Sequence, residues 1–495
     1  MAAKNGVRIP PLDQLWLLLD RPDNLMYINS LVWFAEVPDW EALTRVIDEK
    51  MVGVYSVFRS VPKRRLRQWY WVEHEGYTIE DHITRSRLSE PGGQPEAEAL
   101  ISARMSVPLP KGQPLWSVEY IENFHKDGRE QEGALLLFRV QHGVADGVRL
   151  TQLILNMCEL EDGSGAPAAV GKNLSPQGGI LQTVSGAGTV MVRDSFGIAK
   201  GLTGAALTFP LTLTKLVKDV TAPGFGVTRV PTRVVESLTS SLSPENTVAN
   251  TYRSIFRLLW EPRMASRSWS GRAHAKKKVS WISGIDLAAV KRVAKVHDTT
   301  VTTVMIAAVS RALTEYLRSH GDKPLADINL MVPMSVAPLD DGPPSQLGNH
   351  ITLILLRLPL GIDDSQRLID EITESMVRVQ YSFEPHATYA AMVTAAAAAP
   401  TRVTNALVDM IANKSIGQLT SVPGPTSTVR LAGAPVAGML GWVPMTGDQS
   451  LGICIYSYNG QVTVGIATDA GLVPDPGAVA EMIEGQFAQF AGWDG

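Results

Sequence analysis

The 495-residue sequence predicts an α/β (α+β) fold of two αβ halves joined by a long, partly helical linker. Three observations lead there. The length exceeds what one hydrophobic core usually serves. Strand-like and helix-like patterns alternate over residues 1–160 and again from about residue 276. Between them, from Glu161 to about Gly179, the composition shifts to Gly, Ala, Pro and Ser, as in a linker. The predicted divisions are 1–160, 161–275 and 276–495.

In the first half, Ser30 to Val37 is predicted as a strand and Asp39 to Met51 as a helix capped by Asp39. Gln68 to Glu73, Leu115 to Glu122 and Gly133 to Val140 follow as strands. The last is continuously apolar apart from Arg139, the pattern of a strand buried on both faces and central in its sheet. After Gln141-His-Gly-Val-Ala-Asp-Gly147, a helix carries Leu150, Leu153, Ile154 and Met157 on one face. Ile180 to Val220 reads as a weakly helical arm, loosened by glycines and broken at Pro210. In the second half Lys278 to Ser283, Ile328 to Val336 and Ile351 to Pro359 are strands, and Ile285 to Val296 and Val301 to Arg318 helices. Leu451 to Ser457 and Gln461 to Thr468 form a hairpin, because Asn459-Gly460 suits a tight turn. Pro476 to Phe490 closes the chain as a helix.

Composition removes several classes of function. The chain is 45% hydrophobic and 19% charged, which excludes disordered and collagen-like chains. A net charge of −4 supplies no global field for nucleic acid. Two distant cysteines, Cys158 and Cys454, encode neither a disulfide framework nor a zinc site, so a reducing, cytoplasmic compartment is expected. No signal peptide and no stretch of about 18 apolar residues is present, leaving a soluble chain or one lying on a membrane surface. Lys63-Arg-Arg65 with Arg67, and Lys276-Lys-Lys278, read as solvated charge, with CoA phosphates or anionic lipid heads as the alternative.

The familiar catalytic signatures are missing. There is no G-x-S-x-G elbow, Walker loop, dinucleotide fingerprint or H-E-x-x-H. The nine histidines offer no pair at ligand spacing beside carboxylates, and no metal is expected. One constellation remains, His142-Gly-Val-Ala-Asp146-Gly147, where a buried strand passes into a helix. An imidazole titrates near neutral pH and can take a proton from a hydroxyl and later return it. Asp146 is expected to pair with a basic group and hold the turn, and Gly147 to supply a conformation that a Cβ would penalise. The competing reading is a structural histidine followed by an ordinary Asp-Gly turn.

Six further motifs, in order, favour the first. Pro11-Leu-Asp-Gln-Leu-Trp16, Pro114-Leu-Trp116, Val332-Pro-Met-Ser-Val336, Leu347-Gly-Asn349, Ser421-Val-Pro-Gly-Pro425 and Leu472-Val-Pro-Asp475 give the sequence a nearly end-to-end resemblance to the bacterial wax ester synthase/diacylglycerol acyltransferase family. That family is related to the CoA-dependent acyltransferases and to peptide-synthetase condensation domains. The resemblance implies two similar chloramphenicol-acetyltransferase-like αβ halves with mixed sheets and an active-site tunnel between them. It aligns His142 with the second histidine of H-H-x-x-x-D-G, the catalytic base, with Asp146, Gly147 and Gln141 in supporting positions. Gln141 replaces the first histidine, and Thr302-Thr303 stand where the family has N-D. Trp116 and Asn349 are candidate substrate-binding residues.

What the resemblance implies is an O-acyltransferase that moves a long-chain fatty acyl group from acyl-CoA to diacylglycerol or a fatty alcohol, with no covalent acyl-enzyme. Acyl-CoA is then a substrate, and no cofactor is expected. A membrane or lipid-droplet surface is the expected partner, from the cytoplasmic side. Gln141 and Thr302-Thr303 motivate the alternative of a weak or inactive relative that binds acyl-CoA or lipid. A condensation-type enzyme fed by a carrier protein would share His142, Asp146 and Gly147 but not the C-terminal motifs.

Overall fold

The computed structural model describes residues 6–66, 68–126, 131–161, 266–323, 325–335, 343–380, 401–490 and a few positions between 388 and 396. The arm of Ile180 to Val220, and most of the alanine-rich stretch from Ala390 to Ala399, lie outside the described residues.

Two mixed sheets carry the fold. The first runs β5 (Ile83–Arg87), β6 (Trp116–Phe124), β7 (Gly133–Gln141), β2 (Tyr27–Phe34), β14 (Ala434–Trp442), β13 (Val429–Leu431), β8 (Glu159–Leu160). The second runs β11 (Ile351–Pro359), β10 (Asp327–Ser335), β12 (Gly417–Pro423), β15 (Leu451–Tyr458), β16 (Gln461–Asp469), β9 (Lys277–Asp286). Parallel pairs occur in both, β5 with β6 in the first and β12 with β10 and β15 in the second. A small antiparallel sheet, β1 (Val7–Arg8), β4 (Gln68–Glu73) and β3 (Ser60–Arg65), stands beside the first.

The expectation for β7 holds. All nine of its residues are buried, and it pairs with β2 on one side and β6 on the other. Its one charge, Arg139, stays buried because the guanidinium donates to the Val107 carbonyl and sits over the Tyr27 ring. The β15–β16 hairpin also forms as expected, with Asn459 and Gly460 both at positive φ. The strand expected at Ser30 to Val37 is displaced to Tyr27–Phe34, because pairing with β7 from Tyr27↔Gln141 to Phe34↔Ala134 sets its bounds. The helix at Asp39 is shorter than expected: Asp39 caps Trp40–Ile47, and a π-helical turn continues to Val52.

The sheets do not divide the chain where the sequence does. β13 and β14, deep in the segment assigned to the second half, extend the first sheet, β14 pairing with β2 from Val436↔Phe34 to Trp442↔Asn29. Consequently Val436, Met439 and Tyr456 pack into the same core as Val32, Phe138 and Leu153. A second apolar cluster, including Trp33, Leu135, Trp281 and Trp442, bridges the two sheets. Among the described residues no helix is long and apolar enough to cross a membrane.

Candidate active site

The buried strand β7 ends at Gln141, and α4 (Gly147–Met157) begins six residues later. Everything between is clamped. The His142 N–H donates to the Met26 carbonyl at 2.7 Å. The Gln141 amide donates to the Trp16 carbonyl while its oxygen accepts the Gly143 N–H, so Gln141 acts as a tie between the turn and α1 (Pro11–Leu19). A Cβ on Gly143 would come within 2.8 Å of both the Asp13 carbonyl and the Gln141 side-chain oxygen, which explains the glycine. The partners of Asp146 are not the basic group expected. Its carboxylate accepts the backbone N–H of Arg149, capping α4, and that of His350. Its own N–H donates to the Gly348 carbonyl. The turn is therefore stitched to the second half, just ahead of β11.

That stitching brings Asn349 to His142. The Asn349 side-chain nitrogen donates to Asp13 Oδ1 at 2.8 Å and to the His142 carbonyl at 2.7 Å, so its oxygen is the atom 2.7 Å from His142 Nδ1. An amide oxygen only accepts; Nδ1 therefore carries the hydrogen and donates it. In the neutral ring, the lone pair is left on Nε2. The Trp16 indole stacks on the imidazole with centroids 3.9 Å apart and planes 17° apart. Burial holds the His142 pKa below its ordinary value against the opposing influence of Asp146, which keeps the ring in its basic form near neutrality.

Asp13 and Trp16 are neighbours of the His142–Asn349 pair that residue-by-residue reading missed. Both come from α1, three residues apart and on one buried face. The detectable signal was the Pro11–Trp16 motif, which sets a carboxylate in a mostly apolar helix. Burial raises Asp13 from 3.8 to about 7, despite the Asn349 side-chain and backbone N–H groups that favour the anion, and Asp146 adds to the rise. Asn349 was expected to touch substrate; it is 4% exposed, and its amide is committed to Asp13 and His142.

The other candidates fall elsewhere. Trp116 is 1% exposed in the first core, its indole N–H donating to the Phe58 carbonyl and its ring stacked on His82. Gly147 does not have the left-handed conformation anticipated for it: its φ is not positive, and an added Cβ would meet no atom within 4 Å. It instead lines a cavity of about 50 Å³ between the sheets, with Thr151, Ile154, Met439 and Tyr456. A second cavity of about 50 Å³, almost wholly apolar, is lined by Leu15, Trp16, Leu353 and Met392. The two flank the motif, one at the start of α4 and one behind the indole that covers His142, whose own side chain lines neither.

The contacts of Thr303 are those of a helix start. Its N–H and hydroxyl bond Thr300, which caps the helix Val301–Ser319, and its hydroxyl also reaches the Met376 sulfur. Thr302 is buried beside it. Of the two basic clusters, Lys276-Lys-Lys278 is not simply solvated. Lys277 is 8% exposed and pairs with Asp469 at 2.9 Å. Burial pushes the Asp469 carboxyl up, but the Lys277 ammonium and the His274 N–H groups outweigh it and hold it below the usual range. Lys63, Arg64 and Arg65 are exposed at the tip of the β3–β4 hairpin. Among the described residues no cluster of metal-ligating side chains occurs.

Comparison with known proteins yields a consistent set of matches. The catalytic-domain profile of wax ester synthase/diacylglycerol acyltransferases matches residues 9–305, and the C-terminal profile of the same family matches residues 347–490. An O-acyltransferase of Acinetobacter baylyi is 24% identical over 97% of this chain and 96% of its own length. A putative diacylglycerol O-acyltransferase of Mycobacterium tuberculosis is 25% identical over 83% of this chain and 74% of its own. Among solved structures, the wax ester synthase/diacylglycerol acyltransferase from Marinobacter aquaeolei VT8 shares the fold with a TM-score of 0.62 at 20% identity, covering 98% of this chain and 100% of that one. The first condensation domain of a calcium-dependent antibiotic synthetase follows at 0.55 and 14%, covering 98% and 96%.

Proposed function

Since the chain belongs to the wax ester synthase/diacylglycerol acyltransferase family, and so is an acyl-CoA-dependent O-acyltransferase acting on a lipid alcohol, we propose that His142 Nε2 is the base of a direct transfer. The acyl donor is a long-chain fatty acyl-CoA and the acceptor diacylglycerol or a long-chain alcohol. The observation that carries this reading is the fixed tautomer: with Nδ1–H held by Asn349, the ring has one nitrogen left to accept a proton. Nε2 takes the hydroxyl proton as the alcohol oxygen attacks the thioester carbonyl carbon. The tetrahedral intermediate collapses by breaking the C–S bond, and the imidazolium returns the proton to the leaving thiolate. No acyl-enzyme forms. A positioned base supplies about 10²- to 10⁴-fold in rate, and holding both substrates together adds more.

In this reading the two apolar cavities beside the motif are the closed remnants of a tunnel between the halves, which substrate chains widen. The supporting fact is their placement, one at Gly147 and one at Trp16. The lipid surface meets the β3–β4 hairpin, where Lys63, Arg64 and Arg65 lead to Leu66, which is 97% exposed at positive φ. A cationic tip on a chain of net charge −4 suits an anionic membrane, and a leucine can enter it.

Thiol release from palmitoyl-CoA with diacylglycerol, hexadecanol or no acceptor tests the function. Release that depends on either alcohol is the expected result. Saturable palmitoyl-CoA binding with no release across a broad alcohol panel would instead make the chain a lipid-binding relative.

A further inference from the structure

The hydrogen-bond chain behind His142 does not stop at Asn349. Asp13 Oδ1 accepts both the backbone N–H and the side-chain N–H of Asn349, and Asn349 Oδ1 accepts Nδ1–H of the imidazole. The three groups come from three parts of the chain: α1, the segment before β11, and the end of β7. All are buried, with Asp13, His142 and Asn349 each 4% exposed. Two glycines make the approach possible. Gly348, at φ +109°, lies where a Cβ would sit 2.9 Å from Asp13 Oδ2, and Gly143 would meet the Asp13 carbonyl at 2.8 Å.

We propose that Asp13 is a positioning residue for the acyl transfer, acting on His142 through the Asn349 amide to hold the ring orientation and to stabilise the imidazolium that forms when Nε2 takes the proton. The inference rests on His142 being the base. An anionic Asp13 polarises the amide it grips, making Asn349 Oδ1 a stronger acceptor for Nδ1–H just as the ring becomes positive. A protonated Asp13 does this less well. The charged or titratable groups around it are His142 on the turn, Asp146 at the start of α4, whose charge raises Asp13, and Tyr389, whose hydroxyl is raised by burial and then by Asp13.

The sign of the pH response follows. Asp13, raised by burial to about 7, loses its proton across neutrality, so activity rises a second time there. The first rise lies lower, where His142, held below its ordinary value by burial, becomes neutral.

The experiment compares wild type with Asp13→Asn, which keeps the acceptor oxygen toward Asn349 and removes the charge. Steady-state kcat/KM is read from palmitoyl-CoA and the better acceptor between pH 5.5 and 9. The expected result at pH 8 is a fall of roughly 10- to 100-fold, with the rise near pH 7 gone and the lower one kept. Asn349→Ala added to Asp13→Asn is expected to cost no more than Asn349→Ala alone. A variant profile that keeps the rise near 7, or is the wild-type curve scaled down uniformly, overturns the proposal. Should Asp13→Asn fail to fold, the ¹⁵N spectrum of histidine-labelled wild type carries the test. The His142 signal, assigned by its loss in His142→Ala, is expected to show Nδ1–H and to shift near pH 7; an Nε2–H tautomer, or no shift there, overturns it. Near-normal turnover in His142→Ala would remove the base itself, a failure separate from that of the relay.

Discussion

At the scale of single residues, the buried carboxyl of Asp13 carries a cost in stability. Asp13 binds its proton more tightly folded than unfolded, since burial raises it from 3.8 to about 7. Between those two values the unfolded chain has released a proton that the folded chain retains, so stability falls as pH rises and the loss is complete above about 7. Asp13→Asn removes this penalty. Calorimetric melting is expected to show the variant roughly 1–3 kcal/mol more stable than wild type at pH 8, with the advantage gone near pH 4. Gain of stability with loss of activity is the signature of a group kept for function. The residue was legible only through the motif that contains it, because no periodicity reveals that a carboxylate on one helix will meet an amide more than 300 positions away.

At the scale of elements, the turn after β7 depends on the cap of α4. Asp146 satisfies the Arg149 N–H and the His350 N–H with its two oxygens, so one side chain starts the helix and ties β11 to it. Asp146→Ala leaves two N–H groups without this partner and is expected to cost about 2–3 kcal/mol in urea unfolding, with Asp146→Asn less severe because one acceptor survives. β7, the β15–β16 hairpin and the closing helix Pro476–Phe490 were readable in advance, since each rests on a local rule: unbroken apolarity, an Asn-Gly turn, a helical period. β14 was not. Pro435, Gly438 and Gly441 interrupt its strand-like pattern, and a Cβ at Gly438 would strike the Trp33 ring, so the glycine reports a close approach that only the folded sheet reveals. β3, with Pro62 and three consecutive basic residues, escaped for a similar reason, being a projecting hairpin strand.

At the scale of the whole molecule, the two αβ halves expected from composition are present as two sheets but not as two independent segments. β13 and β14 return from beyond residue 428 to lengthen the first sheet, and the motif turn is bonded to residues 348–350. Alternating strand and helix patterns locate sheets along the chain, whereas strand exchange between them depends on long-range pairing that leaves no local trace. A chain ending at residue 275 lacks β13 and β14, which exposes the edge of β2 and uncovers the core shared with Val436 and Met439. Such a fragment is expected to aggregate or to lose its near-ultraviolet circular dichroism, while the full chain keeps it; a soluble, cooperatively melting fragment would contradict the shared core. Separately, the bonds from α1 and the motif turn to residues 348–350 bring Asp13, His142 and Asn349 into one buried network drawn from both halves.

Acyl transfer by this chain is expected to depend on one nitrogen, Nε2 of His142. The most direct measurement is CoA release from palmitoyl-CoA by purified His142→Ala in the presence of acceptor alcohol, alongside its circular dichroism and its binding of palmitoyl-CoA. Folding and binding close to wild type with turnover reduced at least ~10²-fold is the expected result. Turnover within a few-fold of wild type in the folded variant would contradict it.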